Sequence, residues 1–173
     1  MENAGLTVNR RDCLLGAAGC LATGLVAAQA PVAVATMSGQ TLDGKPYDLA
    51  QEMGKVVLVF FWSTGCAVCR DKMPELRANY DAWRDKAFQI VAVSLDKSLE
   101  DVQAYERVLS SVVPPRQRFP WVWRGVAAHR DSFGAVAQTP TTFLLDRRGA
   151  IVSQVRGRVA PNLWDDIAEL VLT

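Results

Sequence analysis

Cys66 and Cys69 stand two residues apart, and they are the residues of this chain whose type and spacing most directly suggest chemistry. A thiolate is the attacking species in disulfide exchange, and a pair in this spacing can open and close as a redox couple. A disulfide over so short a loop constrains the unfolded chain little, so its use is in switching rather than in stapling. The flanks set the geometry. Val56-Val57-Leu58-Val59-Phe60-Phe61 is a short apolar run rich in β-branched and aromatic residues and reads as a buried strand. After Cys69, Met73, Leu76, Tyr80 and Trp83 recur at helical spacing. The pair therefore falls where a strand hands over to a helix. Cys66 lies near the helix N-terminus, where free N–H groups and the macrodipole favour a thiolate. Cys69, one turn further in, is placed to be buried and to resolve a mixed disulfide.

A zinc site would need more ligands than this pair offers. The other cysteines, Cys13 and Cys20, lie in the first 20 residues, and His129 is the only histidine. No metal and no bound cofactor are expected, only the redox-active Cys66–Cys69 disulfide. His129 has no paired carboxylate motif and reads as a surface or satisfied residue in a short helix over Ala127 to Phe133.

The remaining elements alternate. Thr41 to Leu49 reads as a hairpin turning at Asp43-Gly44. The helix after the cysteines runs from about Cys66 to Asp85 and should bend at Pro74. Phe88 to Val93 is a second core strand, and Ser98-Leu99-Glu100-Asp101 opens a second helix as a capping box with Val102, Tyr105 and Leu109 inward. Val113-Pro114-Pro115-Arg116 ends it. Phe119 to Trp123 forms a short strand with both tryptophans on one face. Thr141 to Leu145 and Ala150 to Val155 form a hairpin around Arg147-Arg148-Gly149. A last helix from Pro161 buries Leu163, Ile167, Leu170 and Val171. This is an α/β layer fold with a central mixed sheet.

The stretch from Trp62 to Arg70, followed by Met73-Pro74-Glu75-Leu76, resembles the active site of the TlpA/ResA-type thioredoxin-like proteins. Leu42-Asp43-Gly44-Lys45-Pro46, Gly54-Lys55-Val56-Val57-Leu58-Val59 and Thr139-Pro140-Thr141-Thr142-Phe143-Leu144-Leu145-Asp146 resemble other motifs of that family, in the family's order, over residues 38 to 172. The resemblance implies a thioredoxin-like fold, with helices on both faces of the mixed sheet and an N-terminal β-hairpin extension. It implies thiol–disulfide oxidoreductase activity, with Cys66 and Cys69 as the catalytic pair. It also implies a cis-proline at Pro140 facing the cysteines. The segment at Thr139 would then be free to pair with a substrate strand, with Trp62 as a further substrate contact.

The sequence departs from that family in places. Lys72 occupies a position that is often acidic in cytochrome-c-maturation members. A lysine reaching the thiols would favour a thiolate, and Glu75 and Asp71 are further tuning candidates. Gly65 replaces a tryptophan common before the first cysteine, which opens access to Cys66. Ala67-Val68 lacks a proline carried by many relatives. Phe60 stands where cytoplasmic thioredoxins bury an aspartate, so the proton acceptor for the second cysteine is unnamed.

Residues 1–37 read as an export signal or membrane anchor, and residues 38–173 as the domain. Arg10-Arg11 precede an uncharged Ala/Gly/Leu stretch, and Asn9-Arg10-Arg11-Asp12-Cys13-Leu14 is similar to a twin-arginine signal, with Sec export as the alternative. Val26-Ala27-Ala28 and Ala33-Val34-Ala35 are the candidate cleavage motifs. Ala17-Ala18-Gly19-Cys20 offers a lipidation alternative, and an uncleaved stretch through residues 11–35 could anchor the chain. Each of these places the domain in the periplasm or on the outer face of the cytoplasmic membrane, where disulfides persist. With 19 Lys and Arg against 18 Asp and Glu, nothing marks a nucleic-acid partner. The partners expected are disulfide-bearing client proteins and a membrane electron donor. Three alternatives stand beside a reductase: a disulfide oxidant or isomerase; a copper-binding assembly factor using the thiols as soft ligands; and a peroxidase. The peroxidase is suggested by Ser63-x-x-Cys66, but Val59 replaces the expected upstream proline.

Overall fold

The computed structural model describes residues 33–172. The export-signal, lipidation and anchor expectations therefore fall almost wholly outside the described residues.

Two strands form the centre. β3 (Val56–Trp62) and β4 (Phe88–Ser94) are buried along their whole length and pair in parallel. Their near-continuous apolar sequence follows from being covered on both faces, which removes the alternation of a half-exposed strand. β5 (Trp121–Trp123) extends the sheet in parallel beyond β4. β7 (Thr141–Leu145) pairs antiparallel with β3, and β8 (Ile151–Arg156) antiparallel with β7, giving the order β5-β4-β3-β7-β8. A second sheet is built from β1 (Met37–Gln40), β2 (Pro46–Asp48) and β6 (Arg130–Asp131), in the order β2-β1-β6. The β1–β2 hairpin turns through Gly44, whose φ of 81° favours a residue without Cβ. That turn also closes the free edge of β5: Leu42 N donates to Trp121 O, and Thr41 bridges Val122.

The helices are α1 (Ala67–Trp83), α2 (Leu99–Val112) and α3 (Leu163–Leu172). The helix α1 runs through Pro74, and Ser98 caps α2 by accepting from Asp101 N. Met73 and Leu76 of α1, Val102 of α2 and Leu163, Ile167 and Val171 of α3 enter one buried cluster with Leu58, Phe60 and Trp62. The opposite face buries Val57, Val59 and Phe61 against Met37, Tyr47, Phe133 and Phe143. Helical cover there is limited, among the described residues, to one 3-10 turn at Leu49–Glu52. The small sheet fills the layer instead.

Two expectations need correcting. Residues 127–133 are not a helix: Arg130–Asp131 is extended and pairs with Met37 and Ser38. The Asp131 carboxylate fixes this local shape by accepting from Phe133 N, Arg124 and His129. Packing against the sheet also reaches residues before 38. Ala35 N donates to Gly149 O, and Ala35 and Met37 are buried.

Candidate active site

The last residue of β3, Trp62, delivers the chain into a tight loop, Ser63-Thr64-Gly65, and α1 starts at Ala67 with Cys66 as its N-cap. Cys66 has extended backbone, φ −82° and ψ 101°, which turns its side chain back over the first helical turn. Its sulfur accepts from Cys69 N at 3.1 Å. Cys66 and Cys69 form a disulfide with their Cα atoms 5.2 Å apart. Cys69 is fully buried and Cys66 half-buried, so Cys66 is the member of the pair that solvent reaches. Once the bond is reduced, the Cys69 N–H and the α1 dipole both stabilise charge on the Cys66 sulfur.

The loop is held by a residue that sequence reasoning missed. Asp96, two residues beyond the end of β4, accepts from Thr64 N at 3.0 Å through both carboxylate oxygens and from Thr64 Oγ1 at 2.7 Å. Ser94 Oγ donates to the same carboxylate at 2.7 Å, and Trp123 Nε1 donates to Asp96 O at 2.8 Å. Asp96 thus ties the ends of three parallel strands to the loop before Cys66. The available signal was an acidic residue directly after a buried strand, at the sheet end where the cysteines emerge. Arg70 was also passed over. Its Nη1 donates to Thr64 O, which holds a guanidinium against the loop two residues before Cys66.

Pro140 lies at the same sheet end. β3 and β7 are antiparallel neighbours with Phe61 opposite Thr141, so the chain leaving β3 toward Cys66 and the chain entering β7 from Pro140 sit side by side. The Thr139–Pro140 bond is cis. Pro140 O accepts from Gly157 N, whereas the N–H and C=O of Thr139 have no hydrogen-bond partner among the described residues.

Other candidates are placed elsewhere. Trp62 is fully buried, edge-on to Trp121 with ring centroids 4.6 Å apart and tilted against Tyr105. It is a core residue beneath the site and cannot touch a client. Lys72 is buried with its Nζ 2.8 Å from Glu75 Oε2, and Trp164 Nε1 of α3 donates to the other oxygen of Glu75. Burial alone would raise the Glu75 carboxyl. The Lys72 and Trp164 hydrogen bonds and the Lys72 charge outweigh it, and the group lies below its ordinary range. Asp71 pairs with Arg158 at the surface. Glu75 and Asp71 therefore strap α1 to Trp164 and Arg158, Lys72 holds Glu75 within the helix, and among the described residues the polar contact to the Cys66 sulfur comes from Cys69 N.

A mixed five-stranded sheet, a Cys-x-x-Cys pair at the N-terminus of the helix after its central strand, and a cis-proline at the neighbouring strand define a thioredoxin-like fold. The structure is similar to that of a thiol:disulfide interchange protein of the thioredoxin family from Chlorobium tepidum TLS, with TM-score 0.66 and 23% identity, over 84% of this chain and 99% of that one. It is also similar to the thioredoxin domain of a thiol-disulfide oxidoreductase from Bacteroides vulgatus, with TM-score 0.62 and 26% identity, over 83% and 99% of the two chains. Residues 26–154 match the model of the AhpC/TSA family, and the chain belongs to that family. In agreement with the TlpA/ResA resemblance, it is 26% identical over 116 residues to the thiol-disulfide oxidoreductase ResA of Bacillus thuringiensis subsp. konkukian (strain 97-27). That alignment covers 67% of this chain and 63% of the relative, so the chain spans less than two thirds of the length of that curated relative.

Proposed function

We propose that this chain is an exported thiol–disulfide oxidoreductase that reduces disulfides in client proteins. The observation that carries the reading is the asymmetry of the pair: a half-buried Cys66 capping α1 and a fully buried Cys69 one turn below it. In the reduced protein the Cys66 thiolate attacks one sulfur of a client disulfide. A Cys66–client bond forms, the client bond breaks, and the leaving client thiolate takes a proton. The Cys69 thiolate then attacks the Cys66 sulfur and expels the second client thiolate. The client gains two electrons and two protons, and the Cys66–Cys69 disulfide closes. A client strand lies along Thr139, whose unpaired backbone groups suit strand addition. Oxidising surroundings do not return those electrons, so the cycle requires a membrane-bound dithiol donor.

Export by residues 1 to about 28, with cleavage after Ala28, suits the domain better than cleavage after Ala35. The later cut would remove Ala35, whose N–H is bonded to Gly149 O, and leave β1 only one residue from the new terminus.

Replacing Cys69 by Ser removes the resolving sulfur and should trap clients on Cys66 as mixed disulfides. Non-reducing gels and mass spectrometry of the protein recovered from its native compartment are expected to show such adducts, on a chain beginning at Gln29. Recovery of the variant free of adducts would sink the reading. The direction is tested by equilibrating the Cys66–Cys69 couple against glutathione or dithiothreitol. A potential near or below roughly −230 mV supports a reductase, and one nearer roughly −120 mV identifies an oxidant.

A further inference from the structure

On the helical face, away from the thiols, lies a cavity of about 620 Å³ bounded by the β1–β2 turn, the C-terminal half of α2 and the approach to β5. That volume is within the usual range for small-molecule sites. Its lining combines apolar surface from Leu109, Phe119 and Trp121 with the side chain of Arg77 from α1. Arg77 is 9% exposed. Its guanidinium lies about 6.0 Å from the centroid of the Trp121 ring and, among the described residues, makes no hydrogen bond and no ion pair. None of its nitrogens is among the sealed, unpartnered polar atoms of the described residues, so its N–H donors face solvent that an acceptor can displace. The other cations of this cavity are engaged: Arg118 donates to the carbonyls of Ser110 and Val113, and Lys45 pairs with Asp43.

We propose that this cavity binds a small amphipathic carboxylate. The carboxylate takes the Arg77 fork, and an aromatic or aliphatic body lies on Trp121, Phe119 and Leu109. A planar guanidinium matches a carboxylate bidentately, and a flat body can stack on the indole that Arg77 already faces. Glu106 also lines the cavity and lies beyond ion-pair distance of Arg77. It is the carboxylate that α2 contributes to the lining shared with Arg77. The inference does not depend on thiol chemistry, because the cavity is complete in the oxidised protein.

The test is calorimetric titration of the oxidised full chain with 1-naphthaleneacetate and with its neutral isostere 1-naphthaleneacetamide, with tryptophan fluorescence as a second readout. The carboxylate is expected to bind saturably and the amide at least about tenfold more weakly. Arg77→Gln should lose about tenfold or more in affinity for the carboxylate while keeping its weak affinity for the amide, which also shows that the cavity is still formed. Glu106→Gln, a mild change on a half-exposed helix face, should bind the carboxylate more tightly. Equal affinity for acid and amide, undiminished affinity in Arg77→Gln, weakened affinity in Glu106→Gln, or no saturable binding at millimolar probe would each overturn the assignment.

Discussion

Asp96 and Asp131 are both carboxylates placed just off the core sheet, and both gather donors from segments far apart in sequence. The partners of Asp96 are neutral: Thr64 N, Thr64 Oγ1 and Ser94 Oγ. Those of Asp131 include a cation. Arg124 Nε and Nη2 both donate to it at 2.8 Å, Phe133 N donates at 3.0 Å, and His129 Nε2 lies 2.8 Å away. Asp131 is almost wholly buried, and Arg124 also lies over Phe61. The difference teaches which carboxylate builds architecture and which builds a site. Removing a partner from a buried ion pair strands a charge, whereas removing an acceptor from neutral donors at a loop releases geometry.

The sharpest way to break this comparison is Asp131→Asn. It keeps the shape and leaves Arg124 without its counter-charge, so chemical denaturation should show a loss of about 3–5 kcal/mol. A loss below about 1 kcal/mol would mean that Arg124 finds another acceptor and that the two carboxylates do not differ in kind. The same residue sets a pH signature. Burial alone would raise the Asp131 carboxyl, but the Arg124 and His129 hydrogen bonds, the Arg124 charge and Phe133 N hold it below its ordinary range. A depressed folded-state value contributes stability that is fully present above the unfolded value, about 3.9, and lost as pH falls through the lower folded one. Wild-type stability should therefore fall more steeply below about pH 4 than that of Asp131→Asn.

The same contrast explains what could be read from the residues alone. The central strands were legible because burial on both faces leaves a continuous apolar run, as in Val56–Trp62. The Cys66 cap was legible because strand, cysteine and helical periodicity are adjacent in sequence. Asp96 was not, because its partner Thr64 lies 32 residues away. The segment around His129 looked helical on local pattern, but Asp131 ties it to Arg124 and the strand pairs with β1, so tertiary contacts override propensity. Trp62 stands beside the motif, which suggests a substrate contact, whereas its place on β3 puts it in the helical-face core.

An intermediate effect is expected for Asp96→Ala. Its partners are neutral and partly solvated, so stability should fall by only about 1–2 kcal/mol. The loop before Cys66 loses its anchor at Thr64, and misplacing a reacting atom by a fraction of an ångström is costly. Reduction of a disulfide substrate such as insulin by the reduced protein should slow by about ten- to a hundredfold. Stability loss comparable to that of Asp131→Asn, with substrate reduction unchanged, would reverse the roles assigned to the two carboxylates.

The smallest effect separates two cations of α1. Lys72 looked able to tune the thiols because it stands one turn from Cys69, but its ammonium is taken by Glu75. Arg70 instead donates to Thr64 O, which places its charge against the loop that carries Cys66. Lys72→Met should therefore leave the pH midpoint of Cys66 alkylation in the reduced protein where it is in the wild type. Arg70→Gln should raise that midpoint, because a nearby cation favours the thiolate. The rise is modest, since Arg70 is exposed and its field is screened by solvent and salt. A shift in the Lys72 variant without one in the Arg70 variant would return the tuning role to the lysine. It would also mean that the Glu75 pair opens when the disulfide is reduced.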